Sequence, residues 1–144
     1  MEVLIERKPE EPVQVVIRCR EENAQILRLK AYIEAFSPRL QGKLKDKTVF
    51  VEYGDILYFD SVDNRTYLYT ADAVLEIRYR LYELEEMLPA EDFFRASKSQ
   101  LLNINQIRAL APGLNRAMLA TLCNGEQVYI SRKYAAQLRK ALSI

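Results

Sequence analysis

Residues 118–142 read MLATLCNGEQVYISRKYAAQLRKAL, and the fold is decided here. Met118–Leu122 and Gln127–Ile130 are apolar runs of strand length. Asn124-Gly125 between them is a strong hairpin signal, because both residue types tolerate positive φ. Ser131 then occupies the place of a helix N-cap. Tyr134, Leu138 and Leu142 recur every four residues, so a helix over Arg132–Leu142 presents one apolar face that can seal against a sheet. Strand, turn, strand and covering helix in so short a span indicate an antiparallel α+β fold.

The texture upstream is the same. Val49–Val51, Ile56–Phe59, Thr66–Thr70 and Val74–Ile77 are short runs rich in β-branched and aromatic residues. Gly54-Asp55 and Asp63-Asn64 supply turn chemistry between them. Arg80–Leu88 fits a helix with Leu81, Leu84 and Leu88 on one face, stopped by Pro89. Between Phe93 and Leu110 the apolar positions Leu101, Leu102, Ile104 and Ile107 suit a strand or a helical turn equally well. Six or more close-set strands favour an antiparallel sheet over alternating βαβ units.

The first 45 residues differ. Val3–Ile5 and Val13–Ile17 read as strands. A helix is expected from Glu21–Glu22 to about Phe36, with Ile26, Leu29, Ile33 and Phe36 as its stripe, closed by Ser37 and Pro38. Arg39–Lys47 reads as a polar, basic connector containing Gly42. The expected organisation is therefore a strand–helix module over 1–45 and a main domain over 46–144.

The chain of 144 residues has a formal charge of +1, which hides a strong segregation. Residues 1–45 carry 9 basic and 7 acidic side chains, residues 46–92 carry 4 and 12, and residues 93–144 carry 8 and 1. A local positive field of that kind is what phosphates feel. Alternatively, the acidic and basic segments neutralise each other within one domain. No apolar run approaches the roughly 18 residues of a membrane span, and charges follow the N-terminus too closely for a signal peptide, so the expected location is the cytoplasm.

Chemistry is sparse. With no histidine and two distant cysteines, Cys19 and Cys123, a Cys/His metal site is excluded. No Gly-rich phosphate loop occurs. No general base suited to neutral pH is evident. The expectation is a protein that is not an enzyme and has no cofactor. The basic last third instead offers Arg95, Lys98, Arg116, Asn124, Arg132 and Lys133. Arginine and lysine neutralise phosphates or donate to guanine, and asparagine can pair with adenine. A helix starting after Ser131 also has free amides for a phosphate.

These stretches resemble a known family. FFRASKSQLLNINQI (Phe93–Ile107), with its phenylalanine, arginine, basic position, serine, apolar pair and asparagine, is similar to the LytTR DNA-binding domain. So is the closing LCNGEQVYISRKYAAQLRKAL (Leu122–Leu142). RLYELEEMLP (Arg80–Pro89) resembles the family's helix before this block, and DILYFDSVDNRTYLYT (Asp55–Thr70) its opening strands. The likeness runs from about Asp46 to Ile144. It implies a mainly β, α+β fold: an elongated antiparallel sheet with a few helices that reads duplex DNA through loops. It places DNA contacts on Lys98, Asn124 and Arg132, together with the segment Arg95–Ser99 that adjoins Lys98. Arg95 is expected to flank or support the site, and Lys133 is expected to meet a phosphate by charge.

With only 45 residues ahead of the domain, the sequence resembles stand-alone members with a short strand–helix leader. Many of those are encoded beside a small integral membrane protein. The resemblance implies a sequence-specific transcription regulator controlling its own operon, self-associating on DNA, with such a membrane protein as a possible partner. The leader's apolar helix face is expected either to cover its own sheet or to build a dimer. The competing reading is a protein-interaction module, regulated by a membrane partner, that has kept the fold without DNA binding. Solvent-facing Lys98, Asn124, Arg132 and Lys133 favour DNA. Pairing of those residues with the acidic middle favours the rival.

Overall fold

In the computed structural model, residues 1–11, 14–34, 36 and 38–144 are described. They contain ten strands and three α-helices in two compact units, Met1–Ser37 and Pro38–Ile144. No helix among them is long and apolar enough to cross a membrane.

The second unit is built on antiparallel pairing. Its strands are β1 (Arg39–Leu44), β2 (Lys47–Glu52), β3 (Tyr58–Val62), β4 (Arg65–Tyr69) and β5 (Val74–Ile77), then β6 (Phe93–Ser97), β7 (Gln100–Asn103), β8 (Ile107–Pro112), β9 (Met118–Leu122) and β10 (Gln127–Ile130). Seven form a sheet in the order β2-β1-β5-β4-β3-β7-β6, and three form a second in the order β10-β9-β8. The expected α+β class, antiparallel sheets with few helices, is what is found.

Side-chain alternation divides the large sheet into two faces. On one, Phe59, Leu68, Leu75, Leu101 and Phe93 form a core with Ile56. Helix α2 (Leu81–Met87) covers it with Leu81 and Leu84, and Leu88 follows at the helix end. On the other face Leu102 and Ala96 join Met118, Ala120, Leu122, Val128 and Ile130 of the small sheet in a second core. Helix α3 (Arg132–Leu142) closes that core with Ala135 and Leu138. Each large apolar side chain buried here contributes about 1.5–3 kcal/mol.

The turns follow residue chemistry. Asp63 and Asn64 both have positive φ (51° and 63°), which a two-residue hairpin between Val62 and Arg65 requires. At the β9–β10 hairpin only Gly125 does so (φ 91°). Gly125 N–H bonds the Leu122 carbonyl and Leu122 N–H bonds the Glu126 carbonyl. This loop needs one left-handed residue rather than the two expected from the Asn-Gly pair.

Several expectations are corrected. Arg39–Leu44, read as a connector, is a strand in full register with β2. Its inward positions are only Leu40 and Gly42, and Gln41 and Lys43 point outward, so it looked polar throughout. Gly42 passes so close to β5 that an added Cβ would lie 2.8 Å from Leu75 Cβ. The second compact unit begins at Pro38. The stretch 93–110 resolves into strands β6, β7 and β8 with a 3-10 turn over Ile104–Gln106. Ile56 and Leu57 precede β3; the Ile56 carbonyl is taken by the side chain of buried Asn103 (Nδ2 to O, 2.9 Å), while Leu57 N–H bonds the Tyr69 carbonyl (2.8 Å) and its carbonyl accepts Asn103 N–H (3.0 Å).

In the first unit α1 spans Ala24–Glu34, starting later than expected because Asn23 Oδ1 accepts from Ile26 N–H (3.0 Å), as an N-cap does. Among the described residues no strand precedes Arg39, so Val3–Ile5 and Val15–Ile17 are not strands as expected. Val13 and Ser37, used in those expectations, lie outside the described residues. Val3, Leu4, Ile5, Val15 and Val16 are exposed, and α1 buries no residue.

Candidate nucleic-acid interface

Lys98 and Ser99 form the two-residue turn between β6 and β7, where Ser97 pairs with Gln100. The pairing slips between Arg95 and Ser97, a β-bulge at Ala96. That bulge frees the Ala96 carbonyl, which accepts the Ser131 N–H at 2.8 Å. Ser131 is the residue before α3. The bond therefore docks the helix start, with Arg132 and Lys133, two residues from Lys98 along β6. Lys98, Ser99, Arg132 and Lys133 are all exposed. Segments more than thirty residues apart in sequence are thus tied together through one backbone bond.

The start of α3 is unusual for a helix. Ser131 sits at the N-cap with extended backbone, yet its hydroxyl makes no capping bond, contrary to the expected cap role. The first turn has no acidic residue and begins with Arg132 and Lys133. Cations there oppose the helix dipole by about 0.3–1 kcal/mol each. The last turn, with Arg139 and Lys140, has the favourable sign. Lys133 Nζ also lies 5.3 Å from the Tyr134 ring centre. A local rule broken at an exposed position is where an external anion would restore the balance.

Asn124 is placed elsewhere. It lies at the tip of the β9–β10 hairpin, separated from Ser131 by β10, whose four residues span about 13 Å at ~3.3 Å each. Its Oδ1 accepts the Glu126 N–H (3.1 Å), which uses one lone pair and leaves Nδ2 for a partner. The tip is anchored where Cys123 N–H bonds the Gln106 carbonyl (2.9 Å). Nearby, burial first and the Glu126 charge second push the Tyr58 hydroxyl well above its ordinary value. Tyr58 stacks on Tyr69 at 4.3 Å. The expected residues therefore fall into two groups, one at each end of β10.

Arg95 differs from the rest. Its Nε donates to Glu85 Oε1 on α2 at 2.6 Å, and its Nη1 donates to the Lys98 carbonyl at 2.6 Å. Of the expected site residues it alone pairs with the acidic middle segment among the described residues; Lys98, Arg132 and Lys133 make no ion pair there.

Sequence reasoning missed Arg80. With Ser61, Leu81, Tyr82, Arg95 and Lys98 it lines an open groove of about 440 Å³ beside the turn. Arg80 lies in the acidic third, so segment charge concealed it. The family asparagine, Asn103, is 2% exposed and holds backbone rather than facing solvent.

Exposed cations stand at a strand turn and at a helix start, on an antiparallel framework in which no two helices are consecutive among the described residues. Among the described residues there is no cluster of His, Cys, Asp and Glu able to hold a metal. A family model, the LytTr DNA-binding domain, matches residues 46–143, and the chain belongs to that family, whose domains are non-catalytic DNA-binding modules of transcription regulation. A solved LytTr DNA-binding domain from Bacillus cereus superposes with a TM-score of 0.71 at 30% identity, covering 76% of this chain and all of that one. The chain is 26% identical over 131 residues to the sensory transduction protein LytT of Bacillus subtilis, covering 91% of this chain and 54% of LytT. Its identity to LytT of Bacillus anthracis is 31% over 114 residues, covering 79% of this chain and 46% of that protein. It thus spans about half the length of those curated relatives. An uncharacterized HTH-type transcriptional regulator of Staphylococcus aureus is 29% identical over 108 residues, covering 75% of this chain and 73% of that protein.

Proposed function

We propose that this protein is a sequence-specific, double-stranded-DNA-binding transcription regulator acting in the cytoplasm, and that it controls its own operon. The observation that carries the reading is the Ser131–Ala96 bond, which holds the start of α3, with exposed Arg132 and Lys133, against β6 two residues before the exposed Lys98–Ser99 turn. In this reading Lys98 and Arg132 meet base edges or phosphates, and Lys133 and the α3 amides meet phosphates. Asn124 approaches the duplex about 13 Å away, a span comparable with the ~12 Å width of a major groove. The absence of ion pairs at Lys98, Arg132 and Lys133 among the described residues favours this over neutralisation by the acidic segment.

Self-association on DNA and a small integral membrane partner belong to the same proposal. What supports them is the first unit, 37 residues that leave Val3, Leu4, Ile5, Val15, Val16, Tyr32 and Phe36 in solvent. A segment that small lacks the apolar burial to stand alone.

The test is selection of bound duplexes from a random DNA pool with the full chain, followed by binding of the recovered duplex to Arg132→Ala. A single enriched motif, with specific affinity lost in the variant, is expected. Recovery of no motif, or an unchanged ratio of specific to random-duplex affinity in Arg132→Ala, would refute the reading.

A further inference from the structure

The Lys98–Ser99 turn has only modest local support, a Ser99 N–H that donates to Ser97 Oγ at 3.3 Å and a 3.5 Å contact between the two serine hydroxyls. It contains no glycine or asparagine, neither residue has positive φ, and the strand entering it is bulged. Its two carbonyls are nevertheless both held. The Ser99 carbonyl accepts Ser61 N–H from β3 at 2.8 Å. The Lys98 carbonyl accepts Arg95 Nη1 at 2.6 Å. Arg95 is held in turn by Glu85 on α2, through Nε at 2.6 Å. The Arg95 side chain is only 20% exposed and Glu85 43%. One guanidinium thus bridges a helix carboxylate and a turn carbonyl, using the fork geometry that arginine has and lysine lacks.

We propose that Glu85 and Arg95 are positioning residues for DNA recognition. Their ion pair fixes the Lys98–Ser99 turn so that Lys98 meets the duplex in one register, and Arg95 is not itself a phosphate contact. This rests on the reading of the Lys98 turn as a DNA contact. The charge pattern distinguishes the two roles of Arg95. If it touched phosphate, removing Glu85 would release a cation toward DNA and tighten binding. If it positions the turn, removing Glu85 loosens the turn and weakens specific binding.

The experiment uses the full chain as Glu85→Gln, Arg95→Lys and Lys98→Ala. The probes are the duplex recovered by selection with the parent protein and a shuffled duplex of equal length, titrated over a salt series. Glu85→Gln and Arg95→Lys are each expected to lose about tenfold on the selected duplex, the scale of one charge-assisted hydrogen bond. Neither should bind the shuffled duplex more weakly, and the salt slope of Arg95→Lys should match the parent's. Amide hydrogen exchange at Lys98 and Ser99 should quicken in both. Unchanged or tighter binding of Glu85→Gln to the selected duplex overturns the proposal. So do equal losses on both duplexes, which mark a general folding defect. Parent-like binding by Lys98→Ala refutes the turn as a contact, and the positioning role with it.

Discussion

Replacing Asn103 with alanine should cost about 3 kcal/mol of stability, although the residue touches no apolar core through a large side chain. Asn103 is 2% exposed. Its Nδ2 donates to the Ile56 carbonyl at 2.9 Å, a buried bond, and reaches the Tyr53 carbonyl at a marginal 3.5 Å. Its Oδ1 accepts Asn105 N–H at 3.0 Å. The side chain thus ties the end of β7 to the turn before β3 and starts the turn that leads to the small sheet. Alanine leaves the Ile56 carbonyl and the Asn105 amide without partners. An orphaned buried group costs about 1–3 kcal/mol, with the buried carbonyl toward the upper part of that range and the half-buried amide near its foot. At about 5 °C per kcal/mol for a unit of this size, Tm should fall by about 15 °C. Circular dichroism melts and urea titrations measure this, with the midpoint shifting and the m-value constant. Asn103→Asp should be at least as damaging near neutral pH and recover partly in acid, where a protonated carboxyl regains a donor. A loss below about 1 kcal/mol for Asn103→Ala would refute the reasoning.

Gly42→Ala places a Cβ 2.8 Å from Leu75 Cβ and 3.2 Å from Ile77 Cγ2, so β1 must move off β5. A loss of about 1–3 kcal/mol is expected in urea titration, and a neutral result would deny the close approach. Burial raises the Asp60 carboxyl above its ordinary value, against a smaller opposing effect of the Ser61 backbone bond. Ionising it in the folded chain is therefore costly, and its contribution to stability is lost as pH rises from the ordinary carboxylate range through the raised value. Asp60→Asn should gain on the parent across that window, and a stability difference independent of pH would contradict the assignment. Lys133→Ala should weaken selected and shuffled duplexes alike and lower the salt slope by about one. A slope equal to the parent's would remove Lys133 from the phosphate contacts.

The amino-acid sequence by itself determined the local grammar. Alternation in Met118–Leu122 and Gln127–Ile130, the turn at Gly125 and the spacing of Tyr134 and Leu138 specify a hairpin and a helix, because each rests on interactions within a few residues, whereas Leu142, expected on the same face, is exposed. The basic character of residues 93–144 is likewise a property of the chain alone. Tertiary structure decided what depends on distant partners. Arg39–Leu44 became a strand only through β2 and the close passage of Gly42 over Leu75. Arg95 was set apart from the exposed cations by Glu85, ten residues away on a helix whose placement no periodicity reveals. Ser131 reached Ala96 because a bulge left one carbonyl free, and that bond, rather than any motif, set the start of α3 against β6 and left Asn124 at the far end of β10. Periodicity records which side of an element faces inward, whereas the identity of the facing element is set by packing across the whole fold.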